Sequence, residues 1–549
     1  MSNISIKLKD LIKGEILTDS QTLEKYSHDA SIFEVKPKVV VFPKDVKDLK
    51  ALVKFVSENK ENEPTLSLTA RSAGTDMGGG PLNDSIIVEF PKYFNHFSVH
   101  NELGTAQPGV YYRDFEKETL KHNLIFPSYP ASKDICAIGG IVSNNSGGEK
   151  SLMYGKTEDY ITNLKIVLSD GNEYELKSLN KDELDQKLKQ QDFEGDIYRK
   201  TYQLITNNYE LITSAKPQVS KNSAGYFLWN VYDKDKKTFD LTNLFIGSQG
   251  TLGIVTEATL RLVPVKNHSE MVTIFINDFE KIGEIVNLIL PLQPESMETY
   301  DDKTLKLATK FFYSFAQKLG AKNVISLFFQ FLPEFFLLLR GGIPKLVLQV
   351  EFNEDNEKTL KNKINELLTK LKPLNLRTHT VKSKKEENKY WIIRRESFNL
   401  LRQKIKDKHT APFIDDFVVA PQYLSEFLPQ LEQIMNRYPK LIYTIAGHLG
   451  EGNFHIIPLM NIEDPKEREI IPKLGKEVYD LVLEYKGSTT GEHNDGIIRT
   501  PYLKQMYGEK VYKLFEETKK NFDPNNIFNP GKKVNGSMEF AMNHIRTSF

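Results

Sequence analysis

Residues 69–80 read TARSAGTDMGGG, a short apolar strand that runs into a glycine-rich turn. Gly74, Gly78, Gly79 and Gly80 let consecutive backbone N–H groups face one anion, because glycine has no Cβ to block the approach. No GxGxxG sequence opens a helix here, and no P-loop lysine follows the glycines. The turn therefore predicts an anion site that is neither a Rossmann nor a Walker A site.

Two further turns in the first half of the chain have the same composition. PSYPASKDICAIGGIVSNNSGG (127–148) and FIGSQGTLGIV (245–255) mix glycine with serine, threonine and asparagine. Their backbone N–H groups and side chains can donate to phosphate, to ribose or to the polar edge of a flat ring. Three such turns on one domain suit a large dinucleotide better than a single phosphate.

The sequence around the first turn predicts a β-α-β opening. A β-branched strand within residues 36–43 leads into an amphipathic helix, and the strand TLSLTA (65–70) then enters the turn. Further strands are predicted at 85–90, at 163–176 with an Asp-Gly hairpin signal, and at 254–264. The first structural unit should end near residue 267.

Beyond residue 267 the pattern changes to helices that alternate with single strands. Helices are predicted at 279–292 and 356–374, with a strand at 345–352. This order favours a small α+β domain. The tail forms one more helix, which ends at the Asp-Pro and Asn-Pro-Gly sequences within 523–531.

Composition limits the classes of function. The 549 residues are enough for two to four domains, and 73 basic side chains balance 73 acidic ones, so no overall field attracts nucleic acid or anionic lipid. The single cysteine, Cys136, excludes internal disulfides, a cysteine-ligated zinc site and an iron–sulfur cluster within this chain. The N-terminus lacks the features of a secretory signal, and we expect a cytoplasmic protein.

The most apolar stretch is VISLFFQFLPEFFLLL (324–339). It is too short to span a bilayer and is interrupted by Gln330, Pro333 and Glu334. Two interpretations remain open. The stretch forms a buried pair of helices, or its phenylalanines beside Arg340 make a peripheral contact with the inner face of the cell membrane.

A second kind of motif carries the candidate chemistry. GHLGEGNFH (447–455) places His448 and His455 seven residues apart, which is not the helical i, i+4 spacing of zincins. The pair could be two imidazoles satisfied by backbone carbonyls, but the glycines also allow the chain to double back and bring them together. GEHNDG (491–496) adds Glu492 and His493. Two imidazoles and one carboxylate would make a three-ligand metal site with open positions, typical of a catalytic site.

The three glycine-rich segments resemble the FAD-binding segments of the PCMH-type flavoproteins of the vanillyl-alcohol-oxidase superfamily. The resemblance is carried by RSAGTDMGGG, by IGGIVSNNSGG with YGKTEDY after it, and by GSQGTLGIVTEATLRLVP. YSHDAS (26–31), VSKNSAGYFL (219–228) and DPNNIFNPGK (523–532) extend it over almost the whole chain. The similarity is strongest to the branch that contains D-lactate dehydrogenase, glycolate oxidase and D-2-hydroxyglutarate dehydrogenase.

This resemblance implies an α+β fold with a two-subdomain PCMH-type FAD-binding domain and an α+β cap domain. We expect the FAD-binding domain at 1–267, the cap with the metal site at 268–504, and a segment that returns to the FAD domain at 505–549. The cofactor would contact Arg71, Ser72, Ala73, Gly74, Thr75, Gly79, Gly80, Ser132, Gly139, Gly140, Asn144, Gly147, Gly148 and Ile254. Thr75 stands where covalent members have a flavin-linking histidine, which implies noncovalent FAD. Cys136 is interpreted as a small buried hydrophobe.

In the resembling branch, His448, His455 and Glu492 correspond to the ligands of a divalent ion, and zinc, manganese or iron(II) would each accept them. His493 corresponds to the base. Arg394, in YWIIRRES (390–397), corresponds to the arginine that holds the substrate carboxylate.

Three positions depart from the family pattern. Gln249 stands in place of a glutamate, Asp76 in place of a glycine, and Asn494 in place of a glycine beside the candidate base. Asp29 and Lys221 match family positions, but a surface salt bridge or a phosphate contact accounts for each equally well.

The resemblance implies an FAD-dependent dehydrogenase that oxidises a D-2-hydroxy acid and passes electrons to an external acceptor. That acceptor would be a quinone, an electron-transfer protein or an iron–sulfur partner. Ile457, two residues after His455, favours a lactate-like substrate. The alternatives are a non-redox flavoprotein similar to alkyl-dihydroxyacetone-phosphate synthase and a non-catalytic flavin subunit of a larger oxidase.

Overall fold

The computed structural model describes residues 3–310, 342–384, 386–394 and 407–547. The apolar stretch 324–339, and with it the predicted membrane contact, lies outside the described residues. Within the described part of the chain, every helix is too short or too polar to cross a membrane.

The first sheet forms the predicted β-α-β opening. Its strands are β1 Glu15–Leu17, β2 Val39–Phe42, β3 Leu68–Arg71 and β4 Ile86–Glu89. The order is β1-β2-β4-β3, in which β4 is parallel to both β2 and β3. The helix Val46–Asn59 connects β2 to β3. It forms here because Asp45 caps its first turn and an apolar stripe on one side packs onto the sheet.

The second sheet follows directly and is antiparallel. The strands of this region are β5 Phe97–His100, β6 Leu103–Ala106, β7 Leu124–Ile125, β8 Ile161–Val167, β9 Glu173–Lys177, β10 Tyr232–Asp233, β11 Thr238–Phe239, β12 Ile254–Arg261 and β13 Val263–Pro264. Five of them form the order β5-β6-β12-β8-β9. The Asp-Gly signal gives the β8–β9 hairpin, where Gly171 takes a φ of +72°.

A third sheet makes up the second half of the chain. Its strands are β14 His268–Ile276, β15 Ser296–Asp301, β16 Leu346–Glu354, β17 Arg377–Thr380, β19 Phe417–Val418, β20 Ile445–His448 and β21 Asn453–Ile456, and the short strands β18 His409–Thr410 and β22 Leu459–Met460 pair beside it. The antiparallel order is β17-β14-β16-β15-β20-β21-β19. One face packs against helices in the main core. Because strand residues alternate, Met297 of β15 points into this core and Glu298 points to the opposite face.

Helices cover all three sheets, and the α+β fold class is confirmed. In the first half they are Asn3–Lys9, Ser20–Tyr26, Val46–Asn59, Tyr112–Thr119, Ile138–Asn144, Ser151–Tyr154, Lys181–Lys189, Phe193–Asn207, Tyr209–Ser214 and Thr242–Phe245. In the second half they are Ile282–Ile289, Asp302–Lys310, Glu357–Leu371, Leu424–Asn436, Pro465–Arg468, Ile470–Glu484, Gly496–Arg499, Leu503–Phe522 and Met538–Asn543. Residues 386–394 are also helical.

The tail packs against both halves of the chain. Phe515 and Phe522 of the helix Leu503–Phe522 enter the core of the second sheet, and Phe528 enters the core of the first. Ile545, by contrast, joins the core of the third sheet. The division into 1–267, 268–504 and 505–549 stays a prediction.

Candidate active site

The GHLGEGNFH stretch forms a tight hairpin between β20 and β21. The register pairs Ala446 with His455, and alternate residues of a strand share a face, so His448 and His455 point to the same side. Gly452 takes a φ of +67°, and a Cβ there would lie 1.7 Å from the carbonyl oxygen of Val419. The glycines therefore allow the reversal that brings the two imidazoles together.

Glu492 lies at the point where three imidazoles meet. Its Oε1 is 3.3 Å from His448 Nε2, 3.4 Å from His455 Nε2 and 3.8 Å from His493 Nε2. The carboxylate is buried, and the rings of His455 and His493 stack with their centroids 4.9 Å apart. The structure thus brings the predicted ligand set and the predicted base to one place.

Carboxylates fix the orientation of all three rings. Glu298 Oε1 is 2.6 Å from His448 Nδ1, and the two oxygens of Asp415 are 3.0 Å from His455 Nδ1 and 2.5 Å from His493 Nδ1. A neutral imidazole that donates from Nδ1 carries its lone pair on Nε2. In all three histidines, Nε2 is the ring nitrogen that faces Glu492. Carboxylates orient metal-binding histidines in this way in many proteins. The donor set and its orientation fit a divalent cation.

Asp416 orients the loop that carries Glu492 and His493. Its Oδ2 accepts from the backbone N–H groups of Glu492 at 2.9 Å and His493 at 2.7 Å, and from the hydroxyl of Thr490 at 2.5 Å. Possible ligand atoms of Asp416, His455, Glu492 and His493 also lie within 4.8 Å of one another. Because these hydrogen bonds already engage Asp416, it is better placed to position the loop than to bind an ion.

The charged groups of the site shift the pKa values of one another. Burial opposes the charge on Asp415, but the imidazoles of His493 and His455 hold its pKa well below the usual range. Burial also opposes the charge on Glu492, while Lys221 and two of the histidines lower its pKa. For His493, burial lowers the pKa but Asp415 raises it above the ordinary value. The carboxylates around the imidazoles are therefore ionised at neutral pH.

Of the two family-matching positions that the sequence left open, Lys221 is fully buried and Asp29 is half-buried. Lys221 Nζ lies 2.8 Å from Glu451 Oε2 and 3.3 Å from Glu492 Oε2, with no exposed side-chain surface. This excludes the surface salt bridge as an account of Lys221. Asp29 accepts from the backbone and hydroxyl of Ser31, and burial together with the charge of Asp76 raises the pKa of Asp29 to about 7.

A cavity of about 230 Å³ lies between the glycine-rich turns and the histidine site. The predicted cofactor residues that line it are Ser72, Ala73, Gly74, Thr75, Gly80, Ser132, Gly139, Gly140, Asn144 and Gly147. Glu492 and His493 line the same cavity. A Cβ on Gly140 would meet no atom within 4 Å, so the backbone there leaves room for a ligand. These residues fit a flavin dinucleotide, and the candidate base is part of the wall of the same cavity.

Four predicted cofactor residues lie outside the cavity lining: Arg71, Gly79, Gly148 and Ile254. The guanidinium of Arg71 instead donates to backbone carbonyl groups of residues 26–28. Gly79 and Gly148 pack so closely that a Cβ would overlap neighbouring atoms of the fold, and Ile254 is part of a hydrophobic core. Contact of these four residues with the cofactor stays a prediction.

Two departures from the family pattern compensate for each other. Asp76 Oδ2 accepts from Asn144 Nδ2 at 2.9 Å and from Gln249 Nε2 at 3.3 Å. A glutamate at position 249 would place a second negative charge beside Asp76, whereas the glutamine amide donates a hydrogen bond to it. Gln249 Oε1 also accepts from the backbone N–H of Gly496 at 2.9 Å. Asp76 and Gln249 thus join the cavity turns to the loop of the histidine site.

Asn494 takes the left-handed conformation that its position requires. Its φ is +65°, a value that glycine adopts freely and asparagine tolerates better than most residues. The side-chain amide donates to the backbone carbonyls of Gly247 at 2.9 Å and Asn144 at 3.1 Å. The asparagine therefore holds the loop after His493 against two of the flavin segments.

Arg394 lies at the end of the helical residues 386–394 and forms a buried ion pair with Glu298 Oε2. The other oxygen of Glu298 binds His448. Among the described residues, Arg394 Nε has no hydrogen-bond partner. Glu298 thus connects this guanidinium to the candidate ligand His448. The Nε–H group of Arg394 remains available to donate a hydrogen bond to a bound molecule.

The cavity gives a direct test of where the flavin binds. We expect Gly140→Leu to reduce FAD affinity about 10- to 100-fold, because the added side chain would occupy the cavity while helix Ile138–Asn144 tolerates leucine. Flavin absorbance after purification and titration with FAD would measure the effect. Gly140→Ala is the matched control, since one methyl group leaves most of the cavity open. Equal FAD affinity of both variants would contradict this location.

Three carboxylates of the site were missed by the sequence-based reasoning, Glu298, Asp415 and Asp416, and Glu451 of GHLGEGNFH was given no role. The segment APFIDDFVVAP (411–421) contained a usable signal, because two adjacent aspartates inside an apolar run must be buried and therefore need partners. Glu298 had no such signal, since a single glutamate in a strand is usually exposed.

Comparison with known proteins identifies the two domains and the fold. Residues 37–177 match the family described as FAD binding domain, and residues 265–533 match the family described as FAD linked oxidases, C-terminal domain. A solved structure of p-cresol methylhydroxylase has a TM-score of 0.68 at 15% identity, over 97% of each chain. The expected PCMH-type fold is confirmed.

The similar curated proteins include oxidoreductases of hydroxy acids. A D-2-hydroxyglutarate dehydrogenase of Pseudomonas putida is 26% identical over 95% of this chain and 50% of its own length. A glycolate oxidase subunit GlcD of Bacillus subtilis is 26% identical over 92% of this chain and 91% of its own. The chain spans about half the length of the curated relatives that it matches first.

Proposed function

Because the chain belongs to the FAD-linked oxidase family, we propose that it is an FAD-dependent dehydrogenase that converts a D-2-hydroxy acid into the 2-oxo acid. The observation that carries this proposal is that Glu492 and His493 line the same cavity as the glycine-rich turns. Relatives named for D-2-hydroxyglutarate and glycolate support a 2-hydroxy acid as the substrate class.

FAD is proposed to bind noncovalently in the cavity, because Thr75 stands at the position where covalent members of the superfamily have a flavin-linking histidine. The ten lining residues would hold it through backbone and hydroxyl donors. Residues 1–267 and the returning tail 505–549 would form the FAD-binding part, and 268–504 the cap. The family match that ends at 177 and the one that begins at 265 support a boundary near 267, while the second match continues to 533, across the proposed limit at 504.

His448, His455 and Glu492 are proposed to hold a divalent ion, of which zinc, manganese and iron(II) are all compatible with the donors. When bound, the flavin supplies the hydride acceptor and the ion a Lewis acid for the substrate hydroxyl. The open positions that a three-ligand set leaves would admit that hydroxyl.

Arg394 is proposed to bind the substrate carboxylate. A guanidinium presents five donors in a plane. Among the described residues, the guanidinium of Arg394 forms an ion pair with Glu298, and its Nε has no hydrogen-bond partner. The same contact fixes its position relative to His448 through Glu298. This geometry would hold C2 of the substrate beside the histidine cluster.

His493 is proposed to accept the hydroxyl proton at Nε2. Its Nδ1 is tied to Asp415 at 2.5 Å, so the lone pair on Nε2 faces the centre of the site. Asp415 would then stabilise the imidazolium that forms. Removal of this proton prepares the C2 hydride for transfer.

The substrate is proposed to be lactate-like, and the electrons would leave to an external acceptor. Ile457 follows directly after β21 and lies two residues beyond His455, and its apolar side chain is proposed to face the substrate. The acceptor would be a quinone, an electron-transfer protein or an iron–sulfur partner, because Cys136 is the only cysteine of the sequence.

The proposal is tested by anaerobic mixing of the purified holoprotein with a panel of D-2-hydroxy acids and their L enantiomers. We expect D-lactate and similar small acids to bleach the flavin absorbance, and a chelator to prevent the bleaching. A flavin that stays oxidised with every acid of the panel would contradict the dehydrogenase activity. Bleaching that is strongest with a dicarboxylic acid would contradict the lactate-like substrate.

A further inference from the structure

Lys221 occupies a fully buried position directly behind Glu492. Its Nζ lies 3.3 Å from Glu492 Oε2, the oxygen that faces away from the imidazoles. The other oxygen, Oε1, lies within 3.4 Å of both His448 Nε2 and His455 Nε2. The two oxygens of one carboxylate therefore face different partners, the ammonium group of Lys221 on one side and two imidazole nitrogens on the other.

Glu451 holds Lys221 in this position. Its Oε2 lies 2.8 Å from Lys221 Nζ and also accepts from the hydroxyl of Ser151 at 3.1 Å, while its backbone carbonyl accepts from Ser220 at 3.0 Å. Both charged side chains are buried, with 0% and 4% of their surface exposed. The ammonium group cannot move away from Glu492 without leaving Glu451 unpaired in the interior.

The space beside Glu492 Oε2 is also restricted. A Cβ on Gly147 would lie 3.2 Å from this oxygen, so the flavin segment packs closely against it. The carboxylate is thus confined between the turn that carries Gly147 and the ammonium group of Lys221. Rotation that presented both oxygens to the imidazole side would have to break the contact with Lys221.

A carboxylate can bind a metal ion through one oxygen or through both. A catalytic site must keep a coordination position open for substrate, and a second carboxylate oxygen would fill it. We propose that Lys221, fixed by Glu451, restricts Glu492 to binding through one oxygen and so keeps a position open for the substrate hydroxyl. This inference rests on the proposed function, because it assumes the divalent ion at His448, His455 and Glu492.

The proposal also gives a role to the acidic residue of GHLGEGNFH. Glu451 lies in the turn between the two histidines, yet its carboxylate points to Lys221 and not to the imidazoles. The hairpin therefore supplies both candidate ligands and the residue that controls the third. Lys221 and Glu451 are positioning residues.

The test counts the water molecules bound to the metal. Apoprotein with FAD retained is loaded with Mn²⁺, and relaxation of water protons reports the exchangeable waters on the ion. We expect Lys221→Met to lose one metal-bound water relative to the unaltered protein, to bind Mn²⁺ as tightly or up to about tenfold more tightly, and to show kcat/KM about 10- to 100-fold lower. Lys221→Arg, which keeps a cationic donor, should restore the bound water.

Two further variants keep the result interpretable. Lys221→Met/Glu451→Gln removes both charges together and should fold even if the single variant does not, with the same loss of one water. Lys187→Met removes the lysine of another Lys–Glu pair, with Glu194, and should change neither water count nor kcat/KM.

An equal number of bound waters in the unaltered protein and in both Lys221→Met variants would overturn the proposed role of Lys221. Absence of Mn²⁺ binding in the unaltered protein would overturn the metal centre itself, and with it the metal-assisted function. The two failures are therefore distinguishable without any measurement of hydroxy-acid oxidation.

Discussion

Replacing His493 with glutamine is expected to slow substrate-dependent flavin reduction by about 10²- to 10⁴-fold, the usual contribution of a general base. Glutamine can still donate to Asp415 but accepts no proton, so the loop geometry is kept and the proton transfer is lost. Rapid mixing of the holoprotein with D-lactate, followed by flavin absorbance, measures the rate.

The pH profile separates this role from a structural one. Asp415 raises the pKa of His493, and only the neutral imidazole accepts a proton, so kcat/KM should rise as pH increases through that pKa. The glutamine variant should lack this rise while it retains FAD and metal. A loss smaller than tenfold, or an unchanged pH profile, would show that another group takes the proton.

The second large effect is expected at the metal ligands. His455→Ala removes one of the two nitrogen donors, and we expect it to lower the metal content and to slow flavin reduction on the order of 10³-fold. Treatment of the unaltered protein with a chelator should give the same loss, and added Zn²⁺, Mn²⁺ or Fe²⁺ should reverse it. Elemental analysis and single-turnover flavin reduction measure the two quantities.

His122→Ala is the matched control, because His122 is exposed and remote from the described cluster. It should keep both the metal and the rate. Full activity of a metal-free protein, with His455→Ala as active as the control, would mean that the imidazoles act without an ion.

Individual elements of the fold could be predicted from periodicity alone. The helix Val46–Asn59 follows from apolar residues at helical spacing after an N-cap aspartate, and the β8–β9 hairpin follows from Asp170-Gly171 between two strand patterns. These signals are local, since they depend on neighbours within a few residues. The resemblance to a flavoprotein family then supplied the domain plan that local signals lack.

The candidate ligands were also recognisable, because glycine-flanked histidines and a Glu-His pair are unusual in sequence. The residues that orient them were not. Glu298 reaches His448 only because β15 pairs with β20, and the two residues lie 150 positions apart. Asp415 similarly serves two histidines from separate segments.

The two departures at Asp76 and Gln249 illustrate the same limit. Each position taken alone weakened the resemblance, and Asp76 put a negative charge where an anion was expected. The structure shows that the amide of Gln249 donates to Asp76 across 173 positions of the chain. A compensating pair can be recognised only when both partners are seen in contact.

The sequence by itself determined part of the secondary structure, the three donor-rich turns and the types of side chain available for catalysis. Only the tertiary structure decided which of these side chains meet, that Lys221 is a buried partner of Glu492, and that Glu492 and His493 share a cavity with the glycine-rich turns. The physical reason is that backbone conformation is set by short-range sterics and hydrogen bonding. The electrostatic environment of a site, in contrast, is set by burial and by charges that folding brings together from distant parts of the chain.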